Sequence, residues 1–149
     1  IETMNKNQFK RRLIIGSANF LNRYGLNNFK VSYKEIKKIA NLAKKNNILY
    51  IDTAEDYLMN RKIFKKINNK FKFTTKISPD TDWLSLEFCQ KKLENHFGKF
   101  NNNKIETLFL HDYKVLLTKN GNKIFKNLEY LKKKNYLKKL DYLYMILKI

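Results

Sequence analysis

The chain has 149 residues, enough for one domain with a real core, and 43% of them are hydrophobic, which excludes a compositionally disordered polymer. Its apolar runs are far shorter than a membrane span, and the polar, basic start IETMNKNQFKRR lacks the apolar stretch of a signal peptide. The formal net charge of +19 invites a nucleic-acid reading, but only four of the 32 basic residues are Arg, the type that base and phosphate recognition favours. Lys, Asn and Ile are all abundant and all have AT-rich codons, so genomic base composition is the plainer explanation, with lysines spread along solvated helix faces. A basic polyanion-binding module is the alternative from another class; it predicts a concentrated lysine patch and steep salt dependence. Cys89 is the single cysteine, which excludes an internal disulfide and fits a reducing cytoplasm, the expected compartment.

In chain order, RLIIG (12–16) reads as a strand. VSYKEIKKIANLAKKNN (31–47) reads as a helix opened by a capping box of Ser32 and Glu35, with Ile36, Ile39, Ala40 and Ala43 on one face. ILYI (48–51) is a second strand, and NRKIFKKI (60–67) a short helix with Ile63, Phe64 and Ile67 together. FKFTTKI (71–77) alternates with period two, setting Phe71, Phe73, Thr75 and Ile77 against Lys72, Thr74 and Lys76. WLSLEFCQKKLENHF (83–97) reads as a helix capped by Asp82, with Leu86, Cys89, Leu93 and Phe97 as its buried stripe; His96 beside the stripe is given no role. ETLFLHD (106–112) is the fourth strand, and NKIFKNLEYLKKKNY (122–136) a helix with Ile124, Leu128 and Leu131 inward.

Four β–α units in regular alternation predict an α/β fold with a parallel sheet and right-handed crossovers. With one proline and no linker rich in Gly, Pro or Ser, residues 1–149 read as a single domain. The four glycines form neither G-x-G-x-x-G nor a P-loop, which disfavours a doubly wound nucleotide fold. A (β/α) barrel carries its chemistry at the C-terminal ends of strands, and there stand Asp52, Lys76 and His111 on three successive strands. Singly, each has an ordinary reading: a strand-end cap, a solvated lysine, a satisfied histidine. Tyr57, five residues past Asp52, is one of nine tyrosines. Ionisable residues ending three strands in register are a different matter.

GSANF after the first strand, YIDTAEDY after the second, TTKI on the third and LFLHDY on the fourth together resemble the aldo-keto reductases, from about Arg12 to Lys139. The resemblance implies a (β/α)8 TIM barrel that reduces an aldehyde or ketone with NADPH or NADH, and a catalytic quartet at Asp52, Tyr57, Lys76 and His111. Hydride arriving at a carbonyl carbon builds negative charge on oxygen, so an acid must deliver a proton. On the resemblance, Tyr57 is expected to be that acid, Lys76 to favour its ionised form, Asp52 to hold Lys76, and His111 to orient the carbonyl. No metal ligand set is assigned.

Leu58 stands where the family carries a glycine, and the chain holds four β–α units where a complete barrel takes about 250 residues. The expectation is therefore a partial barrel, four units plus a disrupted fifth strand, incomplete at its C-terminus. The family's main phosphate- and adenosine-binding groups fall in the half beyond, so no cofactor-binding residue is assigned. On that reading the 149 residues alone catalyse poorly, and the open half-barrel is prone to self-association, with an apolar edge and an open face. One codon choice permitted for Leu140 to Leu147, read two bases later, encodes R-L-S-I-Y-D-P, the family's fifth-strand pattern; a frame shift in the lysine-rich run 132–139 is the corresponding expectation. A non-catalytic half-barrel is the competing reading.

Overall fold

The computed structural model describes residues 13–26, 28–55, 57, 67, 71–97 and 105–142, with the side chains of residues 96, 97 and 142 outside that set. The helix expected over 60–67 lies outside the described residues except for Ile67, which is buried. Leu58 lies outside them too.

Five strands form one sheet in the order of the chain, every neighbouring pair parallel: β1 (Ile14–Gly16), β2 (Tyr50–Asp52), β3 (Lys72–Ile77), β4 (Ile105–Leu110) and β5 (Leu137–Tyr142). The fold is α/β with an open sheet. Its fifth segment, expected to be disrupted, pairs with β4 from Ile105↔Leu137 to Leu110↔Tyr142. Three α-helices are described: α1 (Tyr33–Lys45), α2 (Leu86–Phe97) and α3 (Gly121–Lys133).

Strand alternation sorts the sheet into two faces. One row, Ile15, Ile51, Phe73, Ile105 and Leu137, runs in register across all five strands, and four of its members are at most 1% exposed. Ile36, Ala40 and Ala43 of α1, Cys89 and Leu93 of α2, and Ile124, Leu128 and Leu131 of α3 complete this core, as their helical spacing predicts. The opposite face carries Gly16, Asp52, Thr74, Thr107 and Lys139 in one row and Lys76, Phe109 and Asp141 in the next. The open face thus carries mostly polar residue types in these two rows, with Phe109 among them.

Helix ends follow local chemistry. Ser32 and Glu35 form the expected capping box: the Glu35 N–H donates to Ser32 Oγ, and the Ser32 N–H to Glu35 Oε2 at 2.8 Å. Ser32 Oγ also donates to Glu35 Oε2 at 2.6 Å, and this bond, followed by that from the Ser32 N–H, holds the Glu35 carboxyl below its ordinary range. The expected Asp82 cap is displaced. Thr81–Leu84 wind as a 3-10 turn capped by the Asp80 side chain, which accepts from the Asp82 N–H at 3.0 Å. Ser85, whose Oγ accepts from the Phe88 N–H at 3.2 Å, then opens α2. Trp83, 2% exposed, is fixed in that turn by Asn127, whose side-chain amide donates to the Trp83 and Leu84 carbonyls. Gly121 starts α3 so close to the Val115 and Leu116 carbonyl oxygens that a Cβ there would collide with them.

Candidate active site

Asp52 is the last residue of β2, with Gly16 beside it on β1 and Thr74 beside it on β3. Lys76 lies two residues beyond Thr74, on the same face of β3. Its Nζ donates to Asp52 Oδ2 at 2.5 Å and to the Thr53 carbonyl at 3.3 Å. Thr74 Oγ1 donates to Asp52 Oδ1 at 3.0 Å, so both carboxylate oxygens are occupied. From β1, the Ser17 N–H and Oγ both donate to the Asp52 carbonyl, at 3.0 and 2.7 Å. The ion pair is half-sheltered, with side chains 16% exposed at Lys76 and 33% at Asp52. It borders a cavity of about 670 Å³ on the open face, which Tyr50, Thr107, Phe109 and Lys139 also line.

The loop after β2 is laced to β3 by the Thr53 N–H on the Thr74 carbonyl, at 2.9 Å, and the Glu55 N–H on the Lys76 carbonyl, at 3.0 Å. Glu55 Oε1 in turn accepts from Lys92 of α2 at 2.6 Å. Tyr57 follows, its N–H on the Ala54 carbonyl at 3.2 Å. His111 is the first residue past β4, its N–H bonded to the Ile77 carbonyl at 2.8 Å. Tyr57 and His111 line one cavity of about 550 Å³ with Ala18, Asn22, Arg23, Tyr24 and Ala54.

The four expected residues therefore fall into two pairs at one end of the sheet. Asp52 and Lys76 are in direct contact, while Tyr57 and His111 share a cavity wall. Sequence reasoning missed Thr74 and Ser17, which brace Asp52, and Arg23, which joins the cavity. The signals were present: Thr74 precedes Lys76 by two residues, and Ser17 lies in the GSANF motif.

No family model matches the sequence, and no curated protein sequence matches it. Solved structures do. A protein of Pseudomonas aeruginosa assigned to the aldo-keto reductases superposes with a TM-score of 0.69 at 16% identity, over 87% of this chain and 54% of that one. An aldo-keto reductase of Bacillus halodurans in its holo form gives 0.63 at 14% identity, over 87% and 45%. A protein assigned as a 2,5-diketo-D-gluconic acid reductase B gives 0.58 at 14%, over 87% and 43%. The chain spans about half the length of each. At these identities the likeness speaks for the fold, and the chain folds as about half of an aldo-keto reductase.

Proposed function

We propose that this chain carries the proton-donating site of a carbonyl reductase of aldo-keto reductase type, dependent on NADPH or NADH. The observation that carries the reading is the Asp52–Lys76 ion pair, at the ends of adjacent parallel strands and beside the loop that bears Tyr57. A barrel places its chemistry at that end.

The residues present suit the reactive end of a nicotinamide cofactor. The cavity of about 550 Å³ has the size of a small-ligand site, and Asn22, Tyr24 and Tyr57 offer it an amide and aromatic surface. Those three residues would hold the nicotinamide. When bound, the cofactor supplies a hydride to the carbonyl carbon. Everything else falls to side chains of this chain. Tyr57 donates its phenolic proton to the oxygen as negative charge builds there. The Lys76 ammonium favours the phenolate left behind, and Asp52, fixed by Thr74, keeps Lys76 charged and aimed. His111 donates a hydrogen bond that polarises the carbonyl. The main phosphate- and adenosine-binding groups come from outside the 149 residues, so the chain by itself binds NADPH weakly and turns over slowly.

Titration of NADPH fluorescence, run beside carbonyl-dependent NADPH oxidation at the highest cofactor concentration, tests this. Weak binding and slow turnover that disappears in Lys76→Met are expected. Tight binding contradicts the divided cofactor site, and turnover indifferent to Lys76→Met contradicts the catalytic assignment.

One observation favours an accompanying assembly. Neither β1 nor β5 has a second strand neighbour among the described residues, and open edges template pairing with another chain. Sedimentation velocity is expected to show a concentration-dependent dimer; a monomer at every concentration contradicts self-association.

A further inference from the structure

The segment between β1 and α1 is held in a fixed shape. Asn19 Nδ2 donates to the Tyr24 carbonyl at 2.9 Å and to the Phe29 carbonyl at 2.8 Å, tying the two limbs of a turn together. The Val31 N–H donates to the Asn19 carbonyl at 2.9 Å and the Leu21 N–H to the Val31 carbonyl at 3.2 Å. The backbone is left-handed at Gly25 (φ 78°) and also at Leu21 (φ 61°), a conformation that leucine adopts only at a cost. Such strain persists where surrounding structure enforces it, and it clusters at sites. Just past Leu21, residues Asn22, Arg23 and Tyr24 line the cavity that Tyr57 and His111 share. The Tyr24 ring meets that of Tyr57 edge-on, with centroids 5.8 Å apart.

The chemistry of this wall is one-sided. Among the described residues no Asp or Glu lines the cavity. Among the described residues Arg23 forms no ion pair, whereas Asp52, Glu55 and Glu106 each pair with a lysine. It is also the one arginine among the described residues, in a chain where only four of the 32 basic residues are arginine. A guanidinium presents a planar fork that matches a carboxylate or phosphate through two hydrogen bonds. A concave wall of aromatic rings concentrates the field of such a charge.

We propose that Arg23 makes the site selective for carbonyl compounds bearing an anionic group, a carboxylate or a phosphate, gripped by the guanidinium while the carbonyl faces Tyr57 and His111. The proposal rests on the carbonyl-reducing reading and adds the substrate class.

Equilibrium binding of benzoate and of benzamide to the full chain, measured by calorimetry, tests the anion site without turnover. Benzoate is expected to bind at least about tenfold more tightly. Arg23→Gln removes that preference, whereas Lys45→Gln, an exposed residue that does not line the cavity, leaves it intact. Equal affinities overturn the proposal. So does a preference that survives Arg23→Gln, the result that diffuse attraction by a net charge of +19 produces. Competition of benzoate by inorganic phosphate extends the class to phosphorylated substrates, and its absence confines it to carboxylates. Reduction of para-carboxybenzaldehyde against benzaldehyde separates the two claims. An Arg23-dependent binding preference with neither aldehyde reduced counts against the carbonyl-reducing reading alone. Reduction of both at equal kcat/KM overturns the anion selectivity.

Discussion

Asp52 ends its strand with every acceptor engaged. Its carbonyl takes two donors from Ser17, and its carboxylate takes Lys76 and Thr74. A carboxylate serving only as a turn cap would satisfy nearby backbone N–H groups; this one reaches across to the neighbouring strand. Asp52→Asn leaves the Lys76 ammonium, 16% exposed, without its carboxylate partner and with the Thr53 carbonyl as an acceptor at 3.3 Å. Because the pair is partly solvated, the expected cost is about 1–2 kcal/mol, read as a lowered unfolding midpoint in urea. Removing the charge from both, as Asp52→Asn with Lys76→Met, recovers part of that loss. Cys89 makes a separate prediction. It is fully buried, its Sγ donates to the Trp83 carbonyl at 3.1 Å, and burial pushes the thiol up to about 11 from an ordinary 9.0, against a smaller opposing pull from Asn127. A folded-state value raised above the unfolded one stabilises below about pH 9 and loses that contribution as pH climbs to about 11. The stability difference between the parent and Cys89→Ala therefore shrinks across that window, and native Cys89 resists thiol reagents. Rapid labelling of the folded chain contradicts this.

Helix termini show what local sequence conveys and what it hides. The α1 capping box was legible because Ser32 and Glu35 have the motif's spacing. The C-terminal ends were not, because asparagine does the work usually given to glycine. In α1 the Asn47 N–H bonds the Lys44 carbonyl and the Ile48 N–H the Ala43 carbonyl, with Asn47 at φ 57°. In α3 the Asn135 N–H bonds Lys132 and the Tyr136 N–H bonds Leu131, with Asn135 at φ 63°. Both are Schellman closures. The first explains why β2 begins at Tyr50 rather than Ile48: the Ile48 N–H closes the helix. Asn135→Ala is expected to destabilise by about 1 kcal/mol, since alanine pays more for the left-handed backbone, whereas Asn135→Gly leaves stability equal or higher. Equal losses in both variants would count against the closure. Asp82 was misread because a 3-10 turn intervenes before α2, moving the caps to Asp80 and Ser85.

At the scale of the molecule, a two-residue period on strands and a 3.6-residue period on helices made the alternation legible, and with it the three strand ends that carry Asp52, Lys76 and His111. Pairings between strands could not be read locally. Thr74 meets Asp52 only because β2 and β3 align Tyr50 with Lys72, and the irregularity between Phe73 and Thr74 resets the register against β4. The same registers gather the polar side chains onto the open face and leave the helices to cover the apolar one. No helix among the described residues is long and apolar enough to cross a membrane. We propose that the open parallel sheet presents Tyr57 as a proton donor, and one comparison tests this most directly: carbonyl-dependent NADPH oxidation by the parent chain and by Tyr57→Phe, with circular dichroism confirming that both are folded. The account predicts a loss of at least about 100-fold in kcat for Tyr57→Phe, the scale of a missing general acid. Equal rates in the two chains, or no oxidation by the parent with any aldehyde or ketone, contradict it.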